Sequence, residues 1–270
     1  MAYVRTLRSA SRCGECPLIG RSPHRRLVPN AYFQFQQFRV EQAACAQKVS
    51  TDACILGAAA DLRAATRVLD LGTGTGLLAL MTAQRAPAAR IEAIEIDPNA
   101  AAQAAANVAA CPWAARIRVW PLSLAAYAAT GPAAFSQILC NPPFFRRSLP
   151  PPGAARALAR HASPASLTLE EIAVFAAAHL LPAGTFTVLL PPPEMRAFEA
   201  VAHTAGLATQ ARLLVRHRPG GRVSRVIGQF GREPAPAIAA TELCITDDAD
   251  NYSGDFRRLL ADFYLAFLPK

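Results

Sequence analysis

Five residues in the first half of the chain have the types and spacing of a ligand-binding site. The stretch LDLGTGTG, between a predicted strand and a predicted helix, contains Asp70, Gly72, Gly74 and Gly76. Glycines at such a turn permit positive φ and close approach of a ligand, while the helix N-terminus offers unpaired N–H groups. Glu95 ends the next predicted strand, where a carboxylate can accept both hydrogen bonds of a ribose diol. These residues predict a site for an adenosine-containing cofactor.

The acid beside the loop distinguishes between such cofactors. Dinucleotide-binding loops follow GxGxxG, in which the third glycine packs against the helix and a pyrophosphate lies at the helix N-terminus. Here the spacing is GTGTG, and Asp70 comes two residues before the first glycine. A carboxylate disfavours a pyrophosphate and favours an ammonium group, such as that in the methionine part of S-adenosylmethionine. We therefore predict S-adenosylmethionine rather than NAD, with a purely structural turn as the remaining alternative.

A second group of residues follows a later predicted strand. The strand SQILC (136–140) is followed directly by Asn141, Pro142, Pro143 and Phe144. In a sheet of parallel strands this turn lies at the carboxyl edge, where such sheets bind ligands. The prolines fix φ and carry no N–H, so the carbonyls of Asn141 and Pro142 can both accept from one NH₂ group while Phe144 stacks on a flat ring. The turn is therefore predicted to hold a planar amine.

A ring amine held in this way can be methylated without a strong general base. Its lone pair is delocalised into the ring, which makes it a poor nucleophile, and two aligned acceptors favour a pyramidal nitrogen whose lone pair faces a methyl sulfonium. The proton leaves after transfer, when the nitrogen has become acidic. A proline-rich turn without chemistry is the alternative, and the order of glycine loop, acid and NPPF along the chain disfavours it.

Predicted strands and helices alternate around these residues. We predict strands at 67–71, 90–96, 116–120, 136–140 and 184–191, and helices at 76–86, 98–110, 168–181 and 193–206. Three later strand-like runs lack intervening helices and indicate an antiparallel edge: 208–217, 222–230 and 242–246. The predicted fold class is α/β, a Rossmann-like, mostly parallel seven-stranded sheet with an antiparallel edge and helices on both faces.

Composition narrows the partners and the compartment. A formal net charge of +9 favours a polyanionic partner such as nucleic acid. The apolar runs are broken before the length of about 20 residues that a membrane span needs, so no membrane partner is expected. Seven scattered cysteines indicate a reducing compartment, and Cys13 and Cys16 lack the second ligand pair of a zinc site, so no metal is expected. Residues 1–30, rich in arginine, are predicted to form a basic, disordered tail.

Taken together, these residues resemble the class I S-adenosylmethionine-dependent methyltransferases with a small methyltransferase domain and an N/D-PP-Y/F motif. More narrowly, the chain resembles the valine-tRNA adenine-N6-methyltransferases, which modify the adenine at position 37 beside the anticodon. The segments that carry the narrower resemblance are FQFQQFRV (33–40), CAQKVSTDACILGAAA (45–60), RVLDLGTGTGLLALMTAQR, CPWAARIRV and DNYSGDFRRLLADFYL. The resemblance implies one methyltransferase domain over residues 31–270. NPPF alone is shared with guanine-N2 and glutamine-N5 methyltransferases, which remain alternatives.

The resemblance also implies roles for individual residues. The target amine would be held by the NPPF turn (Asn141, Pro142, Pro143 and Phe144), in which Phe144 replaces the more usual Tyr and keeps the stacking. The implied cofactor-binding residues are Asp70, Gly72, Gly74, Gly76, Glu95, Ile96 and Ser123, together with Lys48, Thr51 and Asp52 from a segment over the cofactor. A capped turn that enters a helix accounts equally well for the last three. Ser123 stands where the family usually has an acid that binds the adenine amine.

Arginines beside these motifs are expected to contact RNA phosphates. One group follows NPPF and the other lies later in the chain: Arg146, Arg147, Arg156 and Arg160, and Arg212, Arg216, Arg218, Arg222 and Arg225. The expected partner is tRNA, and the expected state is a cytoplasmic monomer. A non-catalytic RNA-binding protein that retained the fold is the alternative from another class, and Ser123 is the residue that favours it.

Overall fold

The structure is a computed structural model that describes residues 31–142 and 167–268. The strands within these ranges are β1 (Tyr32–Gln34), β2 (Arg39–Glu41), β3 (Arg67–Leu71), β4 (Arg90–Ile94), β5 (Ile117–Trp120), β6 (Phe135–Cys140), β7 (Leu180–Leu190), β8 (Ala208–Arg216), β9 (Val223–Gly231) and β10 (Ala239–Cys244). The α-helices are α1 (Thr51–Ala59), α2 (Leu77–Arg85), α3 (Pro98–Ala109), α4 (Leu124–Ala129), α5 (Leu169–His179), α6 (Pro192–Thr204) and α7 (Gly254–Leu259).

Eight of the strands form one sheet in the order β10-β8-β9-β7-β6-β3-β4-β5. Strands β5, β4, β3, β6 and β7 pair in parallel, β9 is antiparallel to both β7 and β8, and β10 is parallel to β8. Because β9 alone reverses direction, the carboxyl ends of β8 and β10 lie at the same edge of the sheet as those of β3, β4 and β6. This edge carries the glycine loop.

The two faces of the sheet bury different side chains. Val68 packs into a core with α1, α2 and α7, whereas the next residue, Leu69, packs into a second core with α4, α5 and α6. Neighbouring residues of a strand point to opposite faces, so a strand covered on both sides must be apolar at nearly every position. The sequence RVLDL meets this requirement at Val68, Leu69 and Leu71, whereas Arg67 is half-buried where the strand begins and Asp70 is fully buried.

The N-terminal hairpin packs against the C-terminal segment. Phe35 forms a bridge with Tyr264, and the side chain of Gln36 donates to the carbonyls of Ala261 and Tyr264 at 2.7 and 2.8 Å. The backbone N–H of Gln36 donates to the carbonyl of Phe263 at 2.9 Å. The two outermost segments of the resemblance are therefore in contact, although they lie far apart in the sequence.

The predicted fold class is confirmed, and two of its details change. Within the described ranges the sheet has eight strands rather than seven, because the run near 242–246 joins it as β10. The antiparallel strand is internal, since β8 and β10 lie outside β9. The predicted tail at 1–30 lies outside the described residues, as do Pro143, Phe144, Arg146, Arg147, Arg156 and Arg160. No helix of the described parts is long and apolar enough to cross a membrane.

Candidate active site

The glycine loop closes over the end of β4. The backbone N–H groups of Gly72 and Thr73 both donate to the carbonyl of Ile94, at 3.0 and 2.9 Å. The backbone φ angles of Gly72, Gly74 and Gly76 are 73°, 56° and 85°, values that residues other than glycine rarely adopt. A Cβ at Gly72 would meet no atom within 4 Å, so this residue faces open space. Gly76 instead packs against α3 and begins α2 as its N-cap residue.

Glu95 lies at the rim of this loop. Its Oε2 accepts from the backbone N–H of Gly74 at 2.9 Å, and its Oε1 accepts from that of Asp97 at 3.0 Å. Ile96, the next residue, is 44% exposed and lines the same space. The carboxylate is thus oriented by two backbone donors and remains partly exposed, as a residue that binds a diol requires.

Asp70 lies beneath the loop rather than at its surface. Its Oδ2 accepts from the hydroxyl of Thr73 and from the backbone N–H of Ala79 at 3.1 Å. Burial raises the pKa of this carboxyl group to about 7, although both hydrogen bonds lower it. Oδ1 is buried and has no hydrogen-bond partner within the described ranges. Asp70 therefore holds the loop against α2, and contact with an ammonium group stays a prediction.

A cavity of about 620 Å³ opens between the loop, α4 and α5. Gly72, Gly74, Glu95 and Ser123 line it, together with apolar side chains from both sides. The hydroxyl of Ser123 accepts from the backbone N–H of Ala126 at 3.1 Å and caps α4. The cavity brings together four of the residues predicted to bind the cofactor, with Ile96 as a fifth.

Asn141 follows β6 at the same edge of the sheet. Leu71, the last residue of β3, is in register with the last residues of β4 and β6, Ile94 and Cys140. The next residue after each strand is Gly72, Glu95 or Asn141, so these three residues lie side by side at the sheet edge. The Oδ1 atom of Asn141 is buried without a hydrogen-bond partner among the described residues. An amide oxygen in this state is an acceptor that still requires a donor.

The segment before α1 lines the cavity, but with residues that differ from those predicted to bind the cofactor. Cys45, Ala46 and Gln47 line the cavity, whereas Lys48 donates to the carbonyl of Gln42. Thr51 is the first residue of α1, which is capped by Ser50, and the carboxylate of Asp52 pairs with Arg225 at 2.8 Å. Lys48, Thr51 and Asp52 are not among the lining residues.

Asn107 of α3 is a buried polar residue that the sequence does not single out. Its amide N–H groups donate to the carbonyls of Thr75 and Glu41 at 2.9 and 2.8 Å, and its oxygen accepts from the backbone N–H of Glu41 at 2.9 Å. It therefore connects the glycine loop to the N-terminal hairpin. An asparagine within an alanine-rich helix gives no sequence signal for this role.

The later arginines divide into two groups. Arg212, Arg216 and Arg225 form ion pairs with Glu199, Glu242 and Asp52, at 2.6, 3.0 and 2.8 Å. Arg218 and Arg222 are exposed in the turn between β8 and β9 and form no ion pair with any described residue. This turn lies at the sheet edge that carries the cavity.

The residues present fit S-adenosylmethionine. The loop leaves room for a ligand, since a Cβ at Gly74 would come no closer than 3.8 Å to any atom, the Sγ of Cys45. An oriented carboxylate stands at the rim, and the buried acceptor of Asn141 lies at the end of the neighbouring strand. No group of three potential metal ligands was found among the described residues.

The Methyltransferase small domain family model matches residues 45–185. A solved structure described as a predicted O-methyltransferase from Agrobacterium tumefaciens is similar in fold, with a TM-score of 0.55 at 22% identity over 77% of this chain and 95% of that chain. The fold and the site define a class I S-adenosylmethionine-dependent methyltransferase.

Relatives from Serratia proteamaculans, Phocaeicola vulgatus and Pseudoalteromonas translucida are 42%, 39% and 41% identical to the chain. The alignments cover 87%, 88% and 86% of this chain and 90%, 99% and 98% of theirs. Each relative is named tRNA1(Val) (adenine(37)-N6)-methyltransferase, and the chain belongs to this family.

Proposed function

We propose that this protein transfers a methyl group from S-adenosylmethionine to the N6 amine of adenine 37 in a valine tRNA. The observation that carries the proposal is the Oδ1 of Asn141, which is buried and has no hydrogen-bond partner among the described residues. It lies one residue beyond β6, the strand paired with β3 before the glycine loop. An acceptor kept dry and without a donor of its own suits a substrate NH₂ group. The identity of the substrate is taken from the names of the relatives, which align with this chain over most of their length.

In this proposal each residue of the site has one task. Gly72 and Gly74 admit the cofactor to the backbone, Glu95 accepts from its ribose hydroxyls, and Asp70 holds the loop. When bound, S-adenosylmethionine supplies an electrophilic methyl group. Asn141 accepts one hydrogen bond from the target amine, the carbonyl of Pro142 accepts the second, and Phe144 stacks on the base. The two acceptors orient the nitrogen lone pair, and the proton is lost to solvent after transfer.

The tRNA is proposed to lie across the carboxyl edge of the sheet. Three strand spacings separate β6 from β8, or about 15 Å, so a nucleic acid whose base enters beside Asn141 passes the turn that carries Arg218 and Arg222. These two side chains form no ion pair with a described residue, so their charges would contact phosphates, together with those of Arg146 and Arg147 after the NPPF turn. A base in an anticodon loop needs little unstacking to enter the site. The proposal includes a monomer that acts in the cytoplasm, where tRNA is found.

The test is methyl transfer from labelled S-adenosylmethionine to an unmodified valine-tRNA transcript. Asn141→Ala should lower kcat by about 100-fold or more, because the amine loses an aligned acceptor. Cofactor affinity, measured by calorimetry, should stay within about twofold, as the side chain is not needed for that binding. The matched control is Asn99→Ala, an exposed asparagine of α3, which should keep wild-type transfer.

A transcript with guanine in place of adenine 37 should accept no label. Equal transfer by the wild type and Asn141→Ala would exclude the proposed role of Asn141, and label in the guanine-substituted transcript would exclude the proposed base. Label in protein would instead support the glutamine-N5 alternative. Absence of cofactor binding at millimolar concentration would support the non-catalytic RNA-binding alternative.

A further inference from the structure

Four polar side chains meet on the face of the sheet that α4 covers. Glu92 of β4 accepts from both Arg67 Nε (3.0 Å) and Arg67 Nη2 through Oε1. Through Oε2 it accepts from the indole N–H of Trp120 at 2.9 Å and from the hydroxyl of Tyr127 at 2.6 Å. The Glu92 side chain is only 16% exposed, and Tyr127 is fully buried. One carboxylate therefore joins β3, β4, the end of β5 and α4.

The hydrogen bonds to this carboxylate favour its ionised form. Burial alone would raise the pKa of Glu92, but the hydrogen bonds from Tyr127, Arg67 and Trp120 outweigh burial and hold the pKa below its ordinary value. Conversely, burial and the adjacent carboxylate raise the pKa of the Tyr127 hydroxyl, which therefore stays a donor. Oε1 accepts from Arg67 on β3, and Oε2 accepts from Trp120 at the end of β5 and from Tyr127 in α4. Removal of the carboxylate charge therefore leaves buried donors without a full set of acceptors.

Two of the donors lead to the walls of the cavity. The backbone carbonyl of Trp120 accepts from the N–H of Glu95 at 3.0 Å, so the end of β5 holds the acid at the rim. Tyr127 lies in α4, and this helix supplies a wall of the cavity through Leu124, Ala125 and Ala128. Glu92 itself is not a lining residue, but Ile94, two residues further along the same face, is.

We propose that Glu92 is a positioning residue for the cofactor pocket, because its carboxylate holds Trp120 and Tyr127 together and thereby fixes Glu95 relative to α4. The proposal rests on the assignment of the cavity to S-adenosylmethionine. Glu92 does not line the cavity and does not lie beside Asn141. It acts only through Glu95 and α4, so its substitution is expected to change cofactor affinity. The chemical step depends on Asn141 and is expected to be unaffected.

The experiment compares Glu92→Gln and Tyr127→Phe with Glu199→Gln in the full chain. Glu199 pairs with Arg212 at 2.6 Å, and its side chain is 22% exposed, so this control breaks a similar pair between α6 and β8, outside the cavity lining. Calorimetry gives the Kd for S-adenosylmethionine, and steady-state transfer to tRNA gives KM for the cofactor and kcat. Thermal unfolding of the cofactor-free proteins gives the loss of stability that all three variants share.

Glu92→Gln is expected to raise Kd and the cofactor KM by about tenfold or more, with kcat at saturating cofactor within about twofold of the wild type. Tyr127→Phe should raise Kd by a smaller factor, and it decides the question if Glu92→Gln does not fold. Glu199→Gln should lower stability and leave Kd unchanged. An unchanged Kd in the Glu92 and Tyr127 variants, an equal rise in Glu199→Gln, or a loss confined to kcat would overturn the inference. A wild type that binds no S-adenosylmethionine would instead contradict the proposed function.

Discussion

Asp70 combines a loop-holding role with an unusual protonation state. Burial raises the pKa of its carboxyl group to about 7, whereas an aspartate in the unfolded chain titrates near pH 4. Between these values the folded protein binds more protons than the unfolded chain. The stabilisation from protonated Asp70 is therefore complete below about pH 4 and is lost as the pH rises through about 7.

Asp70→Asn should remove this pH dependence, since an amide oxygen can still accept from Thr73 and Ala79. Between about pH 5.5 and about pH 8.5 the wild type should lose about 2 kcal/mol more unfolding free energy than the variant. Urea unfolding of the cofactor-free proteins at both pH values measures the difference. Asp61→Asn, a change of a half-buried acid with a lowered pKa, should behave as the wild type does. An identical pH dependence in Asp70→Asn would show that burial does not raise the pKa of Asp70.

Helix α4 begins at a residue that serves two purposes. Ser123 caps the helix through the backbone N–H of Ala126 and lines the cavity at the same time. Aspartate caps helices as well as serine does and adds a second carboxylate oxygen. The structure therefore allows an acid at this position without loss of the cap.

Ser123→Asp is predicted to bind S-adenosylmethionine about threefold to tenfold more tightly, because one carboxylate oxygen can accept from the adenine amine while the other caps α4. Ser50→Asp is the matched control. It changes the N-cap residue of α1, whose hydroxyl accepts from Ala53 at 3.2 Å, and Ser50 does not line the cavity. Calorimetry with each variant gives the comparison. Weaker or unchanged binding by Ser123→Asp would mean that the cofactor's adenine amine does not lie beside α4.

The sequence was sufficient for elements whose ends carry local signals. Short apolar runs predict β3, β4 and β6, and the glycine spacing predicts the turn between β3 and α2, because these depend on residues close together in the chain. Local pattern does not determine which loop side chains point into a cavity. Cys45 and Gln47 line it, whereas Asp52 pairs with Arg225, a partner that only the assembled sheet brings near.

Contacts between distant strands account for the remaining differences. Strand β10 joins the sheet through β8, and β9 inserts between β8 and β7, so the count of eight strands and the internal place of β9 depend on pairing order. Glu92 shows the same limit within the site. Its alternating position in β4 predicts a side chain on one face, but its donors come from three other elements.

The positive charge that is available to contact tRNA lies on arginines that form no ion pair with a described residue. The chain has a net charge of +9. Two of its positive charges, those of Arg218 and Arg222, lie in an exposed turn at the sheet edge that carries the cavity. Phosphate contacts release counterions, so affinity for tRNA should fall as salt rises, with a slope set by the number of contacts.

Arg218→Glu with Arg222→Glu should weaken tRNA binding by at least about tenfold and reduce the salt slope by about two, without a change in the Kd for S-adenosylmethionine. Filter binding at several salt concentrations measures the affinity for tRNA and its salt slope, and calorimetry measures the Kd for S-adenosylmethionine. The control is Arg90→Glu, an exposed arginine where β4 begins, at the opposite edge of the sheet. An equal effect of Arg90→Glu would indicate general attraction by net charge and no localised interface.

The contact between Gln36 and residues 261–264 joins positions up to 228 residues apart in the sequence. During synthesis the ribosome completes the hairpin long before its partner emerges, and contacts of such separation form late in folding. Through Asn107 the same hairpin is bonded to the glycine loop, and the segment that follows it walls the cavity. The nascent chain can therefore assemble much of the sheet while the hairpin beside the pocket still lacks its second anchor, and we expect the pocket to be completed late in folding.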